Sequence, residues 1–286
     1  MKNVDVAIVG AGPAGSDCAY RLAEAEAGAR VMLLDRARFP RDKRCGGGLT
    51  GRALRELPID VEDIVENRVD EFEFRLRYGA AYRRKARRPL VAMTQRARLD
   101  AVLASAAAAA GSEFRDGVKV RALEETQAGD FVVSCDDERI SAKFVVAADG
   151  ANGRSSAQLG LAGDRTLGVA LEGNIPNSEI ESRRFRSRAV LELATVPGGY
   201  GWVFPKADHV NLGVGGWEES GPDLREHLER LCEMHHTRPS ALRNVRGHRL
   251  PLRKPGAPLA RGRAALIGDA AGLVEPVSGD GMSSAS

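Results

Sequence analysis

The stretch that decides the fold is Val4-Asp5-Val6-Ala7-Ile8-Val9-Gly10-Ala11-Gly12-Pro13-Ala14-Gly15, a short apolar strand that runs into a Gly-x-Gly-x-x-Gly turn. The residues after it, up to position 27, predict a helix, and residues 30–35 predict a second apolar strand. That strand ends in a carboxylate, Asp35, twenty residues after Gly15. The order of strand, glycine turn, helix, strand and acid predicts a dinucleotide-binding βαβ unit, against the alternative of a coincidental glycine turn.

The glycine turn and the acid have separate tasks in such a unit. Glycines permit the tight turn and the close approach of a pyrophosphate, while free N–H groups at the helix start attract its negative charge. Asp35 would accept hydrogen bonds from the adenosine ribose, and its charge would repel a 2′-phosphate, which favours FAD or NAD over NADP. The cofactor-binding residues predicted here are Gly10, Gly12, Pro13, Ala14, Gly15, Asp35 and the adjoining Arg36.

Composition argues against several other classes of function. With 43% hydrophobic and 28% charged residues, the 286-residue chain is globular and long enough for one large domain or two that share a core. A net charge of +3 and only 5% aromatic residues argue against nucleic-acid binding. The cysteines form no Cys-x-x-Cys pair and the histidines no His-Glu-x-x-His motif, so no metal site is predicted. We expect reduced thiols in a cytoplasmic setting.

Two later segments separate FAD from NAD. Residues 144–150 predict an apolar strand that ends in Asp149-Gly150, and residues 263–272 repeat that design with Gly268-Asp269. In a parallel sheet the carboxyl ends of the strands bind ligands, and an aspartate there can hold a ribityl hydroxyl of an extended cofactor. The alternative for each aspartate is a helix N-cap.

A thiol and three glycines follow one another at Cys45-Gly46-Gly47-Gly48, ten residues after Asp35. Glycines let a backbone approach a flat ligand at distances that any Cβ would forbid. We therefore predict that this loop lies against a cofactor ring and that Cys45 faces the chemistry. The alternative is an ordinary flexible turn with an incidental cysteine.

These motifs together resemble the FAD-dependent oxidoreductases built like p-hydroxybenzoate hydroxylase, and within them the geranylgeranyl reductase family. The resemblance rests on GAGPAG at 10–15, PRDKRCGGG at 40–48, Asp149-Gly150, YGWVFPK at 200–206 and GDAAG at 268–272. The second and fourth of these point to the reductases, whose members hydrogenate isolated double bonds in prenyl chains of lipids, chlorophyll precursors or quinones.

The resemblance implies further site residues. Arg96 matches an arginine that contacts FAD, with a helix-surface arginine as the alternative, and Val120 would offer backbone contacts to adenine. A loop beneath the flavin would contain Pro276, Gly279, Gly281 and Met282. The remaining predicted cofactor residues are Arg44, Cys45, Gly46, Gly47, Asp149, Gly150, Gly268 and Asp269. Gly48, Tyr200 and Trp202 are predicted to contact substrate.

The predicted fold is α/β, with a Rossmann-like FAD-binding domain (1–68, 91–165 and 257–286) interleaved with an antiparallel β-sheet substrate domain (69–90 and 166–256). Short alternating segments between 167 and 216 predict the sheet. Tyr200 and Trp202 would point to one of its faces and wall a substrate cavity, or else belong to plain sheet core. Residues 82–89 are basic, which indicates either an anionic-headgroup site or a solvated hairpin.

The expected function is an FAD-dependent reductase in which reduced flavin delivers hydride to a prenyl double bond. Cys45, or a bound water, would supply the proton. One dinucleotide motif leaves the electron donor open between NAD(P)H and a ferredoxin-like protein. The apolar run at 101–110 is too short to span a bilayer, so any membrane contact is expected to be peripheral.

Two other functions stay open at this point. A flavin monooxygenase or halogenase of the same superfamily is one, although halogenases carry WxWxIP where this chain has Tyr200-Gly201-Trp202-Val203-Phe204-Pro205. An inactive flavin-binding fragment is the other, because the sequence ends at Ser286, a few residues into the helix that would follow the flavin loop.

Overall fold

In the computed structural model of this chain, the described residues are 1–25, 28–43 and 45–275. The strands, in chain order, are β1 (Lys2–Val9), β2 (Val31–Leu34), β3 (Gly48–Thr50), β4 (Asn67–Val69), β5 (Glu71–Leu76), β6 (Ala81–Lys85), β7 (Val91–Met93), β8 (Glu113–Arg115), β9 (Val120–Glu125), β10 (Phe131–Cys135), β11 (Arg139–Ala147), β12 (Arg165–Pro176), β13 (Arg188–Leu193), β14 (Tyr200–Pro205), β15 (His209–Trp217), β16 (Arg243–Arg253), β17 (Ala260–Arg261) and β18 (Ala264–Leu266). The α-helices are α1 (Pro13–Ala25), α2 (Gly51–Glu56), α3 (Arg96–Ala109), α4 (Ser155–Gln158), α5 (Leu224–Met234) and α6 (Gly268–Ala271).

The first sheet is mainly parallel, and β1 lies inside it. β1 pairs in parallel with β2 and β11, and these pair in parallel with β8 and β18. β10 and β9 extend the sheet antiparallel from β11. Parallel strands end at one edge of a sheet, so the segments that follow β1, β2, β11 and β18 meet there. The predicted α/β class is confirmed.

Both faces of this sheet are covered, which explains the nearly unbroken apolar sequence of its central strands. On one face, Ile8 and Leu33 pack against Ala19 of α1 and Ala107 of α3. Alanine has the highest helix propensity, and its small side chain lets helices lie close to the sheet, so the alanine-rich α3 suits this place. The other face packs Val9, Phe131 and further apolar side chains.

The second sheet has seven strands in the order β16-β12-β15-β14-β13-β5-β6. One of its faces is an apolar core in which Val203 and Leu212 pack against Leu228, Leu231 and Cys232 of α5. Because successive residues of a strand point to opposite faces, the residues between these core positions point the other way. That second face carries the polar and aromatic residues of the candidate site.

The substrate sheet is antiparallel, as predicted, except at one pair of strands. β5 and β13 run parallel. A long stretch of chain separates them, so no hairpin turn fixes their relative direction. A small sheet, β3-β7-β4, was also not predicted, and it contains Val69, which we had placed in the substrate domain. The large sheet takes its strands from 71–85 and 165–253, while the domain boundaries themselves stay a prediction.

The basic stretch at 82–89 begins in β6, a fully exposed edge strand. Arg83 pairs with Glu73 of the neighbouring strand at 2.9 Å, and Lys85 faces Asp70 at 3.6 Å. These contacts fit the solvated-hairpin interpretation. Among the described residues, no helix is both long and apolar enough to cross a bilayer.

The imidazole of His235, just after α5, is buried among other side chains. It is 2% exposed and meets Phe185 edge to face at 5.5 Å, and neither of its ring nitrogens has a hydrogen-bond partner within the described residues. Burial lowers the pKa of His235 to about 4, and the guanidinium groups of Arg184 and Arg75 act in the same direction. His235 is therefore neutral in the folded protein at neutral pH.

Replacing His235 by leucine is expected to flatten the acid dependence of stability. Between pH 6.5 and about 4 the unfolded chain binds a proton at His235 that the folded chain does not bind, so stability falls as the pH falls. This contributes up to about 1.4 kcal/mol per pH unit to the free energy of unfolding. Chemical denaturation of both proteins across this range measures it. An equal slope in the two proteins would contradict a buried neutral histidine.

Candidate functional site

The carboxyl edge of the first sheet gathers the predicted cofactor segments. Gly10 N donates to Leu34 O at 2.7 Å, which joins the ends of β1 and β2. Ala148 N donates to Val9 O at 2.8 Å, and Ile267 N to Ala147 O at 3.0 Å. The glycine turn, Asp35, Asp149-Gly150 and Gly268-Asp269 thus follow neighbouring strands at one edge.

The three glycines of the turn are required for different reasons. Gly10 has φ +106°, and a Cβ on it would overlap the Ala148 carbonyl. A Cβ on Gly15 would overlap the Gly10 carbonyl, where α1 lies closest to β1. A Cβ on Gly12 would meet nothing nearer than Arg41 Nη2 at 3.8 Å, so the space above it is open. The first and third glycines therefore serve the packing of the chain, and the second fits the approach of a diphosphate.

Asp35 is held beside this turn. It is 8% exposed, its Oδ2 accepts from Ala11 N at 2.9 Å and its Oδ1 accepts from Ala37 N at 2.9 Å. Val118 N donates to Asp35 O at 2.9 Å, which brings the segment leading to Val120 alongside. Arg36 is exposed. Pro13 and Ala14 begin α1, whose first N–H groups lack partners within the helix. Ribose and adenine contacts stay predictions.

Arg96 is a buried arginine, which contradicts the helix-surface alternative. It is 6% exposed and forms a two-pronged pair with Asp100, with Nε–Oδ1 at 2.7 Å and Nη2–Oδ2 at 2.9 Å. Burial opposes its charge, yet Asp100 keeps the pKa of Arg96 above its ordinary value. Arg41 binds the same carboxylate at 2.9 Å and approaches Asp35 at 3.5 Å. A chain of paired charges therefore lies along the cofactor edge.

Asp149 and Asp269, the two aspartates predicted to bind the ribityl chain of the cofactor, differ in their surroundings. Asp149 Oδ2 accepts from Arg154 N, Ser155 N and Ser155 Oγ at 2.7 to 3.0 Å, so it binds N–H groups at the start of α4, although Arg154 holds the N-cap position. Its Oδ1 is buried and has no hydrogen-bond partner in the described part of the chain. Asp269 lies in the first turn of α6 and faces Lys43 Nζ at 3.5 Å. An open place above Gly12 and an unpaired acceptor at Asp149 fit an extended cofactor such as FAD.

The glycines after Cys45 lie in close contact with other parts of the protein. A Cβ on Gly46 would lie 2.8 Å from Phe204 Cδ2, and one on Gly47 would overlap the Thr94 carbonyl. Gly48 pairs with Met93 in the small sheet. Protein atoms thus fill the space that a side chain at these positions would need. Because the glycines have no Cβ, the loop can approach Phe204 and Thr94 closely. Contact of this loop with flavin, and of Gly48 with substrate, stays a prediction.

The outward face of the large sheet meets this loop. Tyr200, Trp202 and Phe204 alternate along β14, with adjacent ring centroids 6.1 and 6.2 Å apart. Gly213 on β15 makes room for the indole, because a Cβ there would overlap it. The indole N–H donates to Asn211 Oδ1 at 2.8 Å. These aromatic residues lie opposite the apolar core of their sheet, on the face that reaches Gly46.

Sequence reasoning missed two buried ionisable residues behind the loop, Glu172 and Lys206. Both are 6% exposed. Burial raises the pKa of Glu172 to about 7, against the effects of the Cys45 backbone N–H and Lys206. Burial lowers the pKa of Lys206 to about 8, against the effect of Cys45. The available signal was a carboxylate at a non-core position of β12, whose apolar residues alternate.

Arg44, Pro276, Gly279, Gly281 and Met282 lie outside the described residues. Across 1–25, 28–43 and 45–275, no three His, Cys, Asp or Glu side chains are grouped as a metal site needs.

A family model described as "FAD binding domain" matches residues 3–285. The chain belongs to the FAD binding domain family. Within that family it is similar to menaquinone reductase of Mycolicibacterium smegmatis, with 32% identity over 97% of this chain and 72% of the relative. It is also similar to a chloroplastic geranylgeranyl diphosphate reductase of Oryza sativa, with 30% identity over 98% of this chain and 64% of the relative. The predicted resemblance to the geranylgeranyl reductases is confirmed, as is FAD as the cofactor of the family.

Two solved structures share the fold of this chain. A geranylgeranyl bacteriochlorophyll reductase-like protein from Thermoplasma acidophilum superimposes with a TM-score of 0.87 at 24% identity, over 100% of this chain and 75% of that protein. A myxobacterial chondrochloren halogenase superimposes with a TM-score of 0.76 at 21% identity, over 99% and 71%. At these identities the likeness concerns the fold alone.

Alanine at Gly12 and at Gly15 is expected to separate FAD binding from folding. Gly12→Ala places a methyl group where the diphosphate would lie, so the protein should fold and lose bound FAD. Gly15→Ala drives a methyl group into the Gly10 carbonyl and should destabilise the protein by several kcal/mol, as overpacking does. Circular dichroism melting and flavin absorbance of the purified proteins measure the two effects. FAD retained by a folded Gly12→Ala variant would contradict this position for the diphosphate.

Proposed function

We propose that this chain is an FAD-dependent oxidoreductase that reduces carbon–carbon double bonds in the prenyl chain of a lipid or quinone. The observation that carries the proposal is the contact between the Cys45–Gly48 loop and the aromatic face of β14. A Cβ on Gly46 would lie 2.8 Å from the Phe204 ring and 3.4 Å from Trp202 Nε1. A thiol and an apolar aromatic wall therefore stand together next to the cofactor edge. The similar menaquinone and geranylgeranyl diphosphate reductases support the same class of substrate.

An isolated alkene is a poor electrophile, which sets the demands on the protein. Bound FAD, once reduced, supplies the hydride. The protein must align the double bond, exclude water and provide a proton, because charge otherwise builds on carbon. The face with Tyr200, Trp202 and Phe204 would hold the prenyl chain by apolar contact. Prenyl units differ little from one another, so such contacts select the class of substrate more strongly than its length.

Cys45 is the proposed proton donor. Its Sγ accepts from Gly47 N at 3.4 Å, which fixes the direction of the side chain. Lys206 Nζ donates to Gly47 O at 3.2 Å and to Thr94 O at 2.9 Å, which anchors the loop. Giving up the proton leaves a thiolate, which the neighbouring cationic Lys206 would stabilise. A bound water in the same place is the alternative donor.

The electron donor and the membrane contact belong to the proposal as well. The sequence contains one dinucleotide motif, which FAD would occupy, so NAD(P)H would bind transiently or a ferredoxin-like protein would donate. A prenyl-chain substrate dissolves in membranes, which favours a peripheral encounter with the bilayer.

A flavin monooxygenase or halogenase is the second candidate, since a halogenase shares the fold. The two relatives of 30% and 32% identity named above are reductases, and their similarity extends over nearly all of this chain. The reductase is therefore the better supported function.

Replacing Cys45 by alanine is expected to lower turnover by roughly 100-fold or more, as loss of a general acid does, with bound FAD unchanged. The assay uses purified FAD-loaded protein, dithionite and geranylgeranyl diphosphate or menaquinone, and mass spectrometry to find products with two added hydrogens per double bond. Cys135→Ala, a half-buried thiol in β10, is the matched control and should keep full turnover.

Three results would decide against parts of the proposal. Unchanged turnover in Cys45→Ala would assign the proton to water. Hydroxylated or halogenated product with oxygen uptake would establish the second candidate. Bound flavin without any product would favour a non-catalytic flavin-binding chain.

A further inference from the structure

The outward face of the large sheet carries an apolar row that crosses the strands and leads away from the candidate site. Trp202 of β14 pairs in register with Leu191 of β13, Leu191 pairs with Phe74 of β5, and Phe74 pairs with Tyr82 of β6. Register partners point to the same face of a sheet, so these four side chains lie side by side. Because neighbouring strands lie about 5 Å apart, the row extends about 14 Å from the site to the edge of the sheet.

A second apolar row lies beside the first. Leu193 of β13 pairs in register with Tyr200 of β14 and with Leu76 of β5. Both rows become more exposed with distance from the site, since Trp202 is 8% exposed whereas Leu76 is 54% and Tyr82 is 63% exposed. Contiguous apolar side chains that are open to solvent on one face mark a surface that binds an apolar ligand or partner.

The first row ends beside an arginine that is available to an anion. Arg84 follows Tyr82 by two residues on the exposed strand β6, so both side chains point to the same face. Arg83 points to the opposite face, where it pairs with Glu73 at 2.9 Å. Within the described part of the chain, Arg84 has no ion-pair partner, and its register partner is Phe72. Of these two adjacent arginines, one is already paired and the other is not.

The opposite side of Trp202 is polar, which gives the row a single direction. Across β15 and β12, the register partner of Trp202 is Gly213 and that of Gly213 is Glu172. The indole N–H donates to Asn211 Oδ1 at 2.8 Å on this side. An apolar chain that passes the indole would desolvate polar groups there, whereas toward Leu191 it contacts apolar side chains.

We propose that the prenyl chain of the substrate lies across the strands along this row, with a double bond beside Trp202 and a phosphate-ester head at Arg84. This inference rests on the proposed function and adds the path of the chain and the charge of its head. The row of about 14 Å suits a chain of a few prenyl units. A guanidinium group binds phosphate through charge-assisted hydrogen bonds. The substrate class is therefore a prenyl diphosphate or a prenyl phospholipid, and a neutral quinone head would gain nothing from Arg84.

The experiment compares binding of geranylgeranyl diphosphate and of the neutral alcohol geranylgeraniol to the purified chain with FAD, by equilibrium dialysis. Arg84→Gln should weaken binding of the diphosphate roughly fivefold and leave binding of the alcohol unchanged, because only the diphosphate has a charge for it to meet. Arg83→Gln is the matched control and should leave both affinities nearly unchanged. Glu73 keeps Arg75 at 3.0 Å in that control, and circular dichroism checks that both variants are folded.

The path of the chain has its own variant. Tyr82→Ser removes apolar surface at the exposed end of the row and should weaken both ligands by a similar factor, because both have the same prenyl chain. Leu259→Ser is the control, since Leu259 is a 40% exposed apolar side chain outside this sheet. Unchanged affinities in Tyr82→Ser would overturn the path.

Equal weakening of the two ligands by Arg84→Gln, or equal effects of Arg84→Gln and Arg83→Gln, would overturn the position of the head. Phosphatidylglycerol vesicles without prenyl chains test a membrane surface instead. Vesicle binding that depends on Arg84, with binding of geranylgeranyl diphosphate unaffected, would also overturn the inference. Geranylgeranylglyceryl phosphate separates the two sources of the head, since tighter binding than the diphosphate supports a phospholipid and weaker binding supports a prenyl diphosphate.

Binding needs no turnover, so the two proposals fail separately. Saturated product together with binding that does not depend on Arg84 would reject the position of the head and keep the proposed function. Binding that depends on Arg84 and Tyr82, without any product, would do the reverse.

Discussion

The ammonium group of Lys206 joins the seven-stranded sheet to the Cys45–Gly48 loop and to the small β3-β7-β4 sheet. From the residue after β14 it donates hydrogen bonds to the Gly47 and Thr94 carbonyl oxygens at 3.2 and 2.9 Å. Gly47 accepts this contact because it has φ +66° and no Cβ, which would otherwise overlap the Thr94 carbonyl. The position of the thiol at Cys45 relative to both the cofactor edge and the aromatic face follows from this clamp. The site thus lies where the seven-stranded sheet contacts the Cys45–Gly48 loop, and neither of these two elements forms it alone.

The charged side chains at the cofactor edge are held in place by buried partners of opposite charge. Asp100 is fully buried and receives Arg96 and Arg41, and Arg41 also approaches Asp35. Loss of one member would leave a buried charge uncompensated, which costs more than the pair itself contributes. Their positions are therefore fixed before a ligand arrives. A diphosphate would meet an electrostatic environment that needs little rearrangement.

Features that depend on residues close together in the sequence were predicted. Features that depend on contacts between distant parts of the chain were not. The glycine turn, β1, β2 and the acid at Asp35 are local patterns, and all were identified. Glu172 and Lys206 acquire their properties from a neighbouring strand and a distant loop, which no local pattern reveals. The glycines at 46 and 47 were expected because a ligand approaches closely, and the structure adds a second reason, since close contact with Phe204 and Thr94 also demands the absence of a Cβ. Sequence alone does not distinguish these two causes.

The parallel pairing of β5 with β13 constrains the order in which the molecule is completed. β5 and β6 leave the ribosome early, yet their neighbour in the sheet appears only after the chain has passed through α3 and most of the first sheet. Until then the hydrogen-bonding edge of β5 that β13 later occupies has no partner, and such edges invite pairing with other chains. The contact is also highly non-local, which slows folding. During synthesis, one edge of the β5–β6 hairpin therefore stays unpaired until β13 has been made.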